Sequence, residues 1–317
     1  MQIHLLHIFS IYDKVISGDY MNKKLSSSLL LVLATVIWGS AFVSQSVAMA
    51  HMGPFSFQAV RCFLGFLVML PIVLMADISQ ENQQRYFSLW CDKTLWLAGL
   101  LCGIPLFLAC NLQQLALVDT DAGKSGFLTA MYIVFVPILG LFRKQKMSVT
   151  VPFSVLLAVA GLYLLSCVGV TTMQPGDLFL IGCAVMFAVQ INVVDHFVDK
   201  VDPLRLNAVQ ILVCTVLSAT VMTFTETPTV TGIVNCLPEL LHVGILSMGV
   251  SYGLQIIAQK NLAQAPAALI MSLESVFAAL FGWLLLDEYM QSHELIGCAL
   301  LFVAVILSQI DIKKKMA

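Results

Sequence analysis

The sequence predicts an all-α integral membrane protein of ten transmembrane helices, arranged as two inverted five-helix repeats. Three observations predict it: an apolar composition, a regular succession of apolar runs, and a duplication between the two halves. Of 317 residues, 59% are apolar and only 11% are charged. Soluble domains carry roughly 45–50% apolar and about 25% charged residues, so this chain lacks the charges to build a water-exposed surface. Mean hydropathy is +0.93. A formal charge of −2 gives no basic footprint for nucleic acid. The expected partners are the lipid bilayer and a small-molecule substrate; proton coupling and a homodimer are left open.

Residues 1–26 read as an N-terminal extension. Met1–Tyr20 places His4, His7, Asp13, Lys14 and Asp19 around a short apolar stretch. A signal peptide wants its positive charge before the apolar run. Met21, leading into Asn22-Lys23-Lys24, is an alternative start; a short interfacial helix is the rival reading. Ten apolar runs follow, at 27–49, 54–76, 94–117, 121–142, 148–167, 175–195, 203–225, 237–259, 264–286 and 291–311. Each is close to the ~20 residues that cross a bilayer as a helix. Pro54, Pro175, Pro203 and Pro238 fall near run starts, where a missing N–H does little harm.

Basic residues set the expected orientation. With a cytoplasmic N-terminus, 14 of the 16 Lys and Arg fall on the inside: residues 14, 23, 24, 85, 93, 143, 144, 146, 200, 205, 260 and 313–315. Lys124 lies near the outer face and Arg61 within span 2. Positive residues resist translocation, so both termini, including the basic tail 312–317, are expected in the cytoplasm.

Two segment pairs carry the duplication. Phe55–Arg61 after Pro54 parallels Leu204–Gln210 after Pro203, and Gln114–Leu117 with Ala122-Gly123 parallels Gln259–Leu262 with Ala267-Ala268. Five helices is an odd number, so a second copy enters the membrane from the opposite side. Inverted repeats of this kind place a binding site near the midplane.

Several stretches also resemble a known family. Ala122–Pro137 is similar to the fourth helix of EamA-type drug/metabolite transporters. Ser272–Trp283, Asp287-Glu288 and Leu295-Ile296-Gly297 resemble its ninth and tenth helices, and Trp38-Gly39 resembles its first. The resemblance covers about 29–310 and implies repeats at 27–167 and 175–311, with a central cavity between them. It also implies a multi-pass carrier of the bacterial inner membrane, and export rather than uptake. It names no substrate. Ser275 stands where the family often has proline, which weakens the case for a helix break there.

Two motifs compete with this reading. Gly249–Gly253 matches G-x-S-x-G, the pattern that presents a nucleophilic serine, and makes an intramembrane serine hydrolase centred on Ser251 one alternative. His51, His242 and His293 all fall near predicted outer ends, away from it. Gly123-Lys124-Ser125 lacks the earlier glycine of a phosphate loop, since Val118 stands there. A channel or a receptor is the other alternative. The nine cysteines form no C-x-x-C pair or Cys/His cluster, so no metal or cofactor is expected, nor any catalytic residue.

Polar residues inside spans face the bundle or a wet cavity, because hydrocarbon offers them no partner. Candidate cavity residues are Trp38, Gln45, Asn111, Gln114, Lys124, Tyr132, Gln190, Asn192, Ser251, Gln255 and Glu274. Gln255 and Gln259 continue the four-residue spacing of Ser251. The competing reading of each is a hydrogen bond between helices. Lys124 pairs with Asp121 or meets an anionic substrate. Arg61, about 10 Å into span 2, is read as structural, against Asp119 or Asp121. Glu274, about 15 Å into span 9, is protonated, paired with a cation, or facing water in the cavity. With the resemblance and the inverted repeat, this cavity implies a secondary transporter of small organic metabolites or drugs, working by alternating access.

Overall fold

The computed structural model describes residues 20–78, 88–120, 122–145, 147–166, 168, 174–285 and 290–310. The chain before Tyr20, Arg85, Asp121, Lys146, Asp287-Glu288 and the basic tail lie outside them. The described elements are all helical. Nine are long and apolar enough to cross a membrane, and Thr150–Ser166 is a shorter apolar helix at the place of the fifth run.

Span 1 is Tyr20–Ala48, span 2 Pro54–Ile78, span 3 Lys93–Ala116 and span 5 Thr150–Ser166. Span 6 is Pro175–Phe197, span 7 Pro203–Thr225 and span 10 Ser292–Gln309. Pro54, Pro175 and Pro203 each open a helix, where the fixed φ of proline is already helical. The Asp202 carboxylate accepts from the Arg205 N–H at 2.9 Å, and Gln174 and Asp177 cap span 6 reciprocally. Each bond satisfies an orphan donor of a first turn.

Three spans are not continuous α-helices. Span 4 divides at Met131 into Ala122–Ala130 and Tyr132–Phe142. Span 9 divides at Ser272-Leu273 into Gln264–Met271 and Glu274–Leu285. At both breaks the ladder tightens to bonds three residues apart, Val134 N–H to Met131 O and Ser275 N–H to Ser272 O. The break in span 9 forms without proline at 275, against the expectation from Ser275. Span 8, Leu237–Gln259, carries a π-helical stretch over His242–Ser251. Such wide turns recur at functional positions.

Span 5 packs on span 10, span 2 on span 7, span 1 on span 9 and span 6 on span 4. Span 3 lies against spans 6 and 7, and span 8 against spans 1 and 2. Exchanging spans 1–5 for 6–10 maps each of these pairings onto itself or onto another of them. Small residues permit the closest approaches. A Cβ on Gly161 would lie 2.8 Å from the Gly297 carbonyl, and one on Gly297 2.6 Å from that of Gly161. In lipid such fit, rather than hydrophobic exclusion, holds helices together.

One apolar cluster, around Ile133, Leu162, Ile270 and Leu301, joins spans 4, 5, 9 and 10. Another, around Met69, Leu106, Ile211 and Met248, joins spans 2, 3, 7 and 8. Trp38 and Phe187 pack against both, so the space between the clusters is bounded by spans 1 and 6. Lys24, Asn261 and Ile310 meet at one end of the bundle through Lys24 to Gln309 O and Thr150 to Ile310 O. Gly53 and Glu226 meet at the other.

Candidate functional site

Between the two clusters lies a cavity with a carboxyl on one wall, a guanidinium on another and aromatic rings between them. The carboxyl is Glu274, the first residue after the break in span 9. Tyr132, the first residue after the break in span 4, donates its hydroxyl to Glu274 Oε1 at 3.2 Å. Both follow a tightened turn within their span, with the ladder bonded across it. Glu274 is 7% exposed, and among the described residues no Lys or Arg lies within 4.0 Å of its carboxylate.

The guanidinium is Arg61 of span 2, 2% exposed. It donates to Gln45 Oε1 and stands 5.8 Å from the Phe57 ring centre, while its Nε bonds nothing among the described residues. Gln45 is anchored in turn by its own bond to Ala41 O at 3.2 Å. Arg61 thus turns into the bundle instead of pairing with Asp119.

An amide network forms the third wall. Gln255 donates to Gln190 Oε1 at 3.1 Å and to Gln259 Oε1 at 2.9 Å. Gln190 donates to Gln210, Gln210 to Asn207, and Asn207 to Gly249 O, at 3.1, 3.0 and 3.0 Å. Spans 6, 7 and 8 are joined by a chain that a single truncation would leave unsatisfied, and buried networks are costly when half made. The rings complete the lining. Trp38 meets Tyr252 edge-on with centroids 5.2 Å apart, and Tyr132 meets Phe187 at 6.3 Å.

Five sequence candidates therefore line one cavity: Trp38, Tyr132, Gln190, Gln255 and Glu274. Gln45 stands one bond behind it, on Arg61. The others are placed elsewhere. Asn111 bonds Ser218 Oγ of span 7 at 2.9 Å, and Gln114 reaches Gln45 O and Met49 Sδ. Lys124 pairs with Asp177 Oδ2 of span 6 at 2.6 Å. Asn192 donates to Val136 O and Ala188 O. Ser251 is fully buried, with no partner for its Oγ among the described residues. His242 is occupied instead with Ser40 and Ser44, at 3.1 and 2.8 Å.

Sequence reasoning missed Arg61, Gln113, Ser247 and Tyr252, which also line the cavity. The depth of Arg61 was the available signal. Ser247 and Tyr252 are five residues apart, and the π-turn brings such a pair to one face, which a search at helical spacing passes over.

The cavity volume is about 40 Å³, room for about three waters at ~10–15 Å³ each. A direct consequence distinguishes lining from packing. Gln255→Leu is expected to depress transport far more than it lowers the melting temperature. Gln114→Leu should do the reverse, because Gln114 is wholly buried between spans 1 and 3. Parallel transport and melting measurements on the two variants check this.

Comparison with known proteins agrees with the architecture. The family model described as EamA-like transporter family matches twice, at residues 25–167 and 174–309. An uncharacterized transporter of Archaeoglobus fulgidus is 31% identical over 293 residues, covering 90% of this chain and 86% of that protein. The uncharacterized transporter YoaV of Bacillus subtilis is 20% identical over 291 residues, covering 90% and 97%. A solved crystal structure superposes with a TM-score of 0.71 at 18% identity, over 89% of this chain and 96% of that one, and so shares the fold.

Proposed function

We propose, from the premise that the chain belongs to the EamA-like transporter family, that it is a secondary transporter of a small organic metabolite. Family membership makes it a multi-pass membrane transporter; the finer reading rests on the cavity. The single observation that carries it is the meeting of Glu274, Tyr132, Arg61, Gln190 and Gln255 around one small cavity. A small polar cavity walled by helices of both halves suits a carrier that rocks about it.

Ten helices in two inverted repeats supply the moving parts. The double family match, the breaks in spans 4 and 9, and the exchange symmetry of the pairings support the repeat. The halves rock about the cavity, and Glu274 carries a coupling proton. The Lys24 end faces the cytoplasm of a bacterial cell, the basic residues having resisted translocation, and the direction is export.

Two experiments test this reading. A metabolite screen by thermal shift should find compounds that stabilise the wild type and no longer stabilise Gln255→Leu. Compounds acting equally on both would place binding outside the cavity. A fluorophore fused at Ala317 should light in the cytoplasm, and a periplasmic phosphatase fused there should stay silent. The opposite pattern would remove the inverted repeat.

A further inference from the structure

Among the described residues, Arg61 is the one basic side chain lining the central cavity, and it sits within span 2 at 2% exposure. A guanidinium keeps its proton at any working pH. Glu274, on another wall, sheds its charge whenever it takes up the coupling proton proposed above. No Asp or Glu carboxylate lies within 4.0 Å of Arg61 among the described residues. The lasting charge of the cavity is therefore positive. A buried cation without a counter-ion is costly until an anion answers it.

The guanidinium is also within reach. Its Nη1 meets Gln45 Oε1, and its Nε is sealed within the wall. Nη2 bonds no oxygen among the described residues and is not sealed, so its N–H donors are open to the cavity. A second donor stands on span 8. Ser247 lines the same cavity at 4% exposure, and its hydroxyl is likewise unsealed and bonds nothing among the described residues. A serine in a helix commonly turns its hydroxyl back to a carbonyl one turn earlier; Ser247, inside the π-helical stretch, does not. Span 8 presses on span 2 at this point. A Cβ on Gly244, one turn before Ser247, would lie 3.0 Å from the Arg61 carbonyl oxygen.

The rest of the lining is largely aromatic, with Trp38, Phe42, Phe187 and Tyr252. One fixed positive charge with two kinds of donor matches a carboxylate, oxygen for donor. A doubly charged phosphate would leave its second charge unanswered among apolar walls. An amine would meet repulsion from Arg61. The cavity volume, about three waters, suits the carboxylate itself, and the body it carries needs the rings to part as the halves rock.

We propose that the molecule carried is an organic monocarboxylate, its oxygens held by Arg61 Nη2 and the Ser247 hydroxyl and its apolar body lying among the rings. The proposal rests on the transporter reading above and names the class of substrate. Arg61 sets the specificity and Glu274 handles the proton, so the two charged groups of the cavity answer different cargo.

The test uses the full-length protein in detergent and two matched sets of probes. One is 3-phenylpropionate, its primary amide and 3-phenylpropylamine. The other is cyclohexanecarboxylate, its primary amide and cyclohexylmethylamine. Each is titrated at constant ionic strength against sodium chloride, with the melting temperature as readout. At least one acid should give a saturable rise, half-saturating at about tenfold lower concentration than its amide or amine, the worth of one charge-assisted bond. Arg61→Gln should erase that preference, Arg61→Lys should keep part of it, and Ser247→Ala should weaken acid binding severalfold. No saturable response to either acid, an amide or amine that binds as well as its acid, or an Arg61→Gln variant that still prefers the acid overturns the proposal. Where Arg61→Gln does not fold, Arg61→Lys and Ser247→Ala decide: acid binding unchanged in both overturns it. An acid bound with this preference but showing no counterflow contradicts the transporter reading alone. Counterflow of an amine or an uncharged compound in place of the acids contradicts the carboxylate alone.

Discussion

Glu274→Gln is expected to abolish transport driven by a pH gradient while substrate exchange continues. A bare charge at the centre of a helix in the bilayer costs about 2.5–3.5 kcal/mol on insertion scales. A carboxyl kept at that depth needs a partner that answers either protonation state. The Tyr132 hydroxyl donates to the ionised form at 3.2 Å and can rotate to accept from the protonated one. Glutamine keeps the shape and the hydrogen bond from Tyr132 but cannot exchange a proton. Proteoliposomes with an imposed pH gradient check the first half of the expectation, and equal substrate on both sides checks the second. Undiminished pH-driven transport would reduce Glu274 to a hydrogen-bonding contact between spans 4 and 9.

The second large effect is on stability. Lys124→Met is expected to destabilise the protein by about 3 kcal/mol, the low end of the range for stripping one partner from a buried pair. Lys124 and Asp177 side chains are 11% and 3% exposed, with Nζ and Oδ2 2.6 Å apart. Removing the ammonium leaves the Asp177 carboxylate buried, with the Gln174 N–H at 2.9 Å among its remaining partners. Adding Asp177→Asn removes the stranded charge and retains the cap, so the double variant should recover most of the loss. Denaturant melts of wild type, single and double variants in one detergent give the comparison. A single variant as stable as wild type would show that the pair contributes nothing net.

These two residues also show how far the sequence could be read. The helices were legible because each bilayer crossing demands a long apolar run, and composition alone supplied that signal. Glu274 was legible as a candidate because a carboxylate at mid-span is costly under any packing. Its partner was not: Tyr132 lies 142 residues away in sequence, on a span whose rotation toward span 9 no local pattern records. Lys124 was read from depth and neighbours in sequence, while Asp177 lies 53 residues away. Asn111 and Gln114 are the span 3 candidates by residue type and depth, yet Gln113 is the residue on the cavity. The rotation of that helix is set by its packing on spans 6 and 7, which no local pattern records. Ser251 shared a spacing with Gln255 and Gln259, but the π-turn ending at Ser251 shifts the phase.

The central claim is a carrier that exposes one cavity to alternate sides. The measurement that tests it most directly is counterflow: proteoliposomes loaded with an unlabelled metabolite from the thermal-shift screen, with labelled metabolite added outside. The account predicts a transient accumulation of label inside that saturates with concentration, needs no ATP, and is lost in Gln255→Leu. Label entry that rises linearly with concentration and is indifferent to the internal load would contradict it.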